Sequence, residues 1–182
     1  MILRLVDRRS GKGGRTPFTL EGPWPHLGRL VDGLGREEWH VDLVLVDDRA
    51  IAELNGDFRG NPDVTDVLSF SYLEDEGPDS PHLAAYDGGA RKNLWWADPP
   101  ATDGQPEAVG EIILAPQFIA GRCREKGWPV EAEVPLLVVH GCLHLLGWEH
   151  DKETDREAMR DVEQDLLQAV GLDHPLRTKG QG

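Results

Sequence analysis

Cysteine is scarce in this chain. Cys123 and Cys142 are the only two in 182 residues, and they form no C-x-x-C pair. That excludes a disulfide-stapled scaffold and a cysteine-based zinc knuckle, and a chain of this length builds a core without staples. Long apolar runs are missing as well. No stretch approaches the roughly 20 residues that cross a bilayer. Met1–Val6, followed by Asp7, Arg8 and Arg9, is too short for a signal peptide. The expectation is a cytoplasmic protein with reduced cysteines and no membrane partner. Positive charge is in deficit: 19 Lys and Arg face 33 Asp and Glu, a formal net charge of −14. Such a chain does not bind nucleic acid indiscriminately through a global field. A local basic track stays open to it, since Arg4, Arg8, Arg9, Lys12 and Arg15 stand near the N-terminus against Asp7 alone. We weigh that cluster as solvated surface. Internal repeats are absent too.

What is present is an alternation of short strands and helices. Ile2–Val6 has strand character, and Pro25–Leu34 repeats its apolar residues at near-helical spacing. Trp39–Val46 is β-branched and apolar, which predicts a strand with at least one buried face. Asp48 is a candidate cap for a helix carrying Ile51, Leu54 and Phe58. Val64–Tyr72 and Glu111–Leu114 predict two more strands, and Pro116 opens a helix that stops near Gly127. A helix follows from about Val130 to Leu146, kinked or opened by Pro135. Thr154-Asp155-Arg156-Glu157 has the form of a capping box for a last helix, with Met159, Val162, Leu166 and Val170 inward and a stop at Gly171. The pattern predicts one α+β (mixed α/β) domain over residues 1–171 and a flexible tail over 172–182. Residues 73–109, rich in acids, glycine and proline, predict an irregular insertion between two strands. Within it Leu94-Trp95-Trp96 is apolar. We expect it to pin the loop to the body; the sharper alternative is that the tryptophans stack bases.

The most specific signal is His140-Gly141-Cys142-Leu143-His144-Leu145-Leu146-Gly147-Trp148-Glu149-His150. Helical residues i and i+4 share a face, so His140 and His144 can aim at one point. Gly147 can take a left-handed conformation that ends the helix and returns His150 as a third ligand. Three imidazoles with an open fourth position describe a catalytic zinc site. Cys142 lies off this face and is expected in the core. The H-x-x-x-H-x-x-G-x-x-H spacing is that of the metzincin zinc proteases, which carry a glutamate base directly after the first histidine. Here that position is Gly141. The usual proton acceptor for amide hydrolysis is missing, which argues against a peptidase.

Three further segments precede the histidines: Leu54-Asn55-Gly56-Asp57-Phe58-Arg59, Thr65-Asp66-Val67-Leu68-Ser69-Phe70 and Gly110-Glu111-Ile112-Ile113. Together with the histidine motif, over roughly residues 40–170 without the insertion, the chain resembles the YbeY-type family of bacterial endoribonucleases that mature ribosomal RNA. Trp148-Glu149 replaces the tyrosine-aspartate common in that family. The resemblance implies a small four-stranded, mostly parallel sheet flanked by helices, and one zinc ion on His140, His144 and His150. It also implies catalysis by Arg59 and His140, with single-stranded ribosomal RNA as substrate and the small ribosomal subunit as partner. Imidazole ligands also accept other transition metals. Taken alone, Arg59 could equally complement a helix dipole; the family motif favours a role on phosphate, whose oxygens a guanidinium binds two at a time. Thr65, Asp66 and Ser69 are expected to give structural support, and Glu111 is a candidate partner for an imidazole N–H. Two other readings stand beside the nuclease: a zinc-containing ribosome-assembly factor without catalysis, and the less favoured zinc peptidase.

Overall fold

The computed structural model describes residues 1–9, 24–34, 39–72, 108–150 and 152–176. The insertion, with Trp95 and Trp96, lies outside the described residues apart from its last two positions. In chain order the elements are β1 (Ile2–Asp7), α1 (Trp24–Asp32), β2 (His40–Leu45), α2 (Asp48–Arg59), β3 (Val67–Ser71), β4 (Gly110–Leu114), α3 (Pro116–Lys126), α4 (Val130–Leu145) and α5 (Glu153–Ala169). The four strands form one sheet in the order β1-β2-β4-β3. The first three strands of that order run parallel, and β3 is antiparallel to β4. The expected mixed architecture with a mostly parallel sheet is what the chain forms.

Burial follows position in the sheet. The inner strands β2 and β4 are buried on both faces, as strands covered by helices on both sides must be. On one face Val41, Leu43, Ile112 and Leu114 join a core with Leu27, Leu30, Val138 and Leu143, so α1 and α4 cover that side. On the other face Val44, Ile113, Leu68 and Phe70 pack with Ile51, and Leu54 and Phe58 of α2 close over them. Between the edge strand β1 and its neighbour β2, Arg4 forms a two-pronged ion pair with the buried Asp42, its register neighbour.

The helix α4 is buried around nearly its whole circumference, which marks it as the central helix of the domain. It continues through Pro135 in its second turn. At Gly141 it packs tightly on the sheet: an added Cβ would lie 3.0 Å from two side-chain carbons of Ile112 on β4. The glycine after the first histidine is therefore a packing requirement.

Three local expectations are corrected. Asp47, not Asp48, occupies the capping position of α2; the Asp48 carboxylate instead accepts the Phe118 N–H and ties α2 to the start of α3. The capping box at Thr154 does not form. The chain leaving His150 is already extended at Lys152, which takes the capping position two residues before Thr154, so α5 begins at Glu153, and the Thr154 hydroxyl turns to Asp155. Residues 172–176 are not a frayed tail: His174 is fully buried. Among the described residues no helix is long and apolar enough to cross a membrane.

We predict that Gly141→Glu destabilises the fold by about 3 kcal/mol, because it overpacks Ile112 and buries a carboxylate without a partner. Urea denaturation checks this. Wild-type stability in the variant would mean that β4 yields at this point.

Candidate metal centre

The three histidines are brought together as their spacing requires. His140 and His144 stand one turn apart on α4. Gly147, at φ 89°, turns the chain back beyond the helix end, with the Trp148 N–H bonded to the Leu143 carbonyl. His150 then faces the other two, and one nitrogen from each ring lies within 4.8 Å of the others. The ring centroids are 4.6, 5.0 and 5.3 Å apart.

Neighbours fix which nitrogen each α4 histidine offers. His144 Nδ1–H donates to the Trp148 carbonyl at 2.8 Å, and His140 Nδ1–H donates to Glu163 at 2.8 Å. Both rings therefore turn Nε2 inward, and these two atoms are 3.1 Å apart. Lone pairs that close repel unless a cation sits between them. Burial, then the neighbouring His140 and His150, push the His144 imidazole down to about 3, so at neutral pH it carries no extra proton. Two nitrogens each about 2.0–2.1 Å from a tetrahedral ion are about 3.3 Å apart. The donor set and its spacing fit a transition-metal ion.

A second layer of contacts holds these rings, and the sequence did not reveal it. Glu163 on α5 is buried. Burial raises its pKa, but hydrogen bonds from His140 and His174 outweigh that and hold it at about 2. His174 accepts the Leu176 N–H at Nδ1, so its Nε2–H is the donor to the second Glu163 oxygen, 3.2 Å away. One carboxylate thus joins a candidate ligand to the C-terminal segment. The available signal was an acid four residues from both Met159 and Leu167, on the apolar stripe of its helix. Arg156 donates to the His150 carbonyl at 3.3 Å and steadies the third ligand's turn.

The remaining candidates separate. Glu111 meets none of the imidazole nitrogens whose partners are described above. It is buried against Tyr72, and burial raises its carboxyl pKa; the imidazole partner is Glu163 instead. Asp66 gives the structural support expected: it accepts the Val67 N–H at the start of β3 and pairs with Arg122, which also pairs with Glu133. Cys142 is buried in the core, its thiol pushed up to about 12 by burial. Arg59 ends α2, is exposed, and is near enough for its charge to disfavour protonation of His144. Among the described residues it forms no ion pair.

Residues 30–171 match the model of the family described as Endoribonuclease YbeY. The chain belongs to that family. It is 36% identical to Endoribonuclease YbeY of Dinoroseobacter shibae, over 83% of this chain and 80% of the relative. It is 40% identical to the Moorella thermoacetica protein of the same name, over 74% of this chain and 75% of the relative. The fold is similar to a solution structure of a Thermotoga maritima protein: TM-score 0.50, 24% identity, covering 92% of this chain and 91% of the other. The relatives' printed name describes enzymes that cut RNA internally. The family match spans this chain's histidine motif, and the relatives are named as nucleases rather than peptidases.

We predict that Glu163→Gln lowers metal affinity about 10- to 100-fold, since an amide cannot accept from both histidines. Competition with a chelating indicator measures this. Unchanged affinity would reduce Glu163 to a packing residue.

Proposed function

We propose that this chain is a metal-dependent endoribonuclease for single-stranded RNA, with one zinc ion on His140, His144 and His150 and with Arg59 binding the phosphate to be cleaved. The observation that carries the reading is the centre itself: three converging imidazoles, nearby an arginine that has no ion pair among the described residues, and a packed glycine where a zinc peptidase has its base. When bound, the ion supplies Lewis acidity towards a phosphate oxygen and acidifies water.

The chain's own residues do the rest. Arg59 offers a planar fork that matches two non-bridging oxygens, where negative charge grows during phosphodiester cleavage. It projects from the C-terminal end of α2, where Gly60 takes a left-handed turn. Glu163 holds the His140 ring in one orientation, so that His140 would serve catalysis as a fixed ligand of the ion. His144 is kept neutral by burial, the state a ligand requires. Family membership supports RNA as the substrate. The resemblance further supports ribosomal RNA, small-subunit maturation and quality control as the setting, and the cytoplasm as the place.

The test is Arg59→Ala. We predict wild-type metal content and stability with RNA cleavage slowed on the order of a hundred- to a thousandfold, and partial recovery in Arg59→Lys. Metal content, thermal unfolding and cleavage rate are measured on the same preparations. A folded, metallated and fully active Arg59→Ala protein would remove Arg59 from the mechanism.

A further inference from the structure

A cavity of about 280 Å³ opens beside the metal centre, with His140 and His150 in its wall. Its remaining lining comes largely from α3, α4 and α5, including Arg122, Trp128, Leu137, Met159 and Arg160. We propose that this cavity is a subsite for one nucleotide of the RNA strand adjacent to the cleaved phosphate, with the base on its apolar floor and Arg160 on a phosphate. The proposal rests on the endoribonuclease reading and assigns it a specificity element.

Size is the first argument. The volume lies at the small end of ligand pockets, which begin at roughly 300 Å³; one base fits, and a longer segment does not. Surface chemistry is the second. Leu137 and Met159 are buried and apolar, and the Arg122 guanidinium carbon lies 5.6 Å from the centre of the Trp128 ring. A flat aromatic and a flat cation are the usual partners of an unpaired base.

Charge is the third and most specific argument. Acids outnumber bases heavily in this chain, yet Arg160, half-buried in the cavity wall, forms no ion pair among the described residues. Arg156, one turn earlier on the same face of α5, is engaged by Glu153 and the His150 carbonyl. Arg160 is therefore a cation beside the metal centre that the surrounding acids leave available.

The experiment titrates adenosine 5′-monophosphate and, separately, inorganic phosphate into metal-loaded protein. It also measures KM and kcat for a labelled single-stranded RNA on the same preparations. The nucleotide is expected to bind about tenfold or more tightly than phosphate. Arg160→Ala is expected to weaken nucleotide binding and raise KM about tenfold each, with kcat within about twofold. Arg160→Lys should recover part of the loss, and Arg160→Glu should be worse than alanine. The partly exposed position makes these substitutions compatible with folding. A nucleotide that binds no better than phosphate, or an Arg160→Ala protein with unchanged affinity and KM, would overturn the subsite while leaving RNA cleavage intact. Arg160-dependent nucleotide binding in a wild type that cuts no RNA would support the subsite and sink the nuclease reading.

Discussion

Three imidazoles forced into contact are the constraint around which this domain is organised. The inward nitrogens of His140 and His144 are 3.1 Å apart, and their outer nitrogens are already committed to Glu163 and to the Trp148 carbonyl. Without a cation the arrangement stores repulsion; with one it ties α4 to the turn that follows. The rest of the fold holds that geometry rigid. The most buried helix carries two of the rings, Gly141 presses that helix onto β4, and α5 brings the carboxylate that orients His140. Metal affinity and fold stability are therefore linked, because the site does not exist in the unfolded chain.

The acidity of the chain and its nuclease character are compatible for a local reason. Of the three described N-terminal arginines, two do not contribute to a free basic track: Arg4 is consumed by Asp42 and Arg9 by Asp7. Lys12 and Arg15 lie outside the described residues. In the proposed site the cations that matter are instead near the three histidines, at the end of α2 and along α5. A net negative surface disfavours indiscriminate nucleic-acid binding, and under the proposed function a few placed guanidinium groups would draw phosphate to the centre.

Much of this was legible in the sequence because it is local. The i, i+4 histidines, the glycine that reverses the chain and the apolar runs of β2 and β4 each follow from nearest-neighbour geometry. What escaped depends on long-range packing. Glu163 looked like one acid among many on α5, and only docking of α5 against α4 brings it to His140. His174 lies in a stretch with a loop's composition, and its burial depends on the same carboxylate. Glu111 was the more obvious acid, yet its partner is Tyr72, because strand alternation puts it on the face of β4 opposite Ile112, the residue that packs against α4. The capping box at Thr154 failed because the exit from the metal turn, not the cap sequence, sets where α5 starts.

X-ray absorption at the metal edge of the protein purified without chelator tests the central claim most directly. The account predicts one transition metal per chain, zinc first, with three imidazole nitrogens at about 2.0–2.1 Å and only light atoms completing the shell. Protein without stoichiometric metal, or a shell containing sulfur from Cys142 in place of an imidazole, would contradict it.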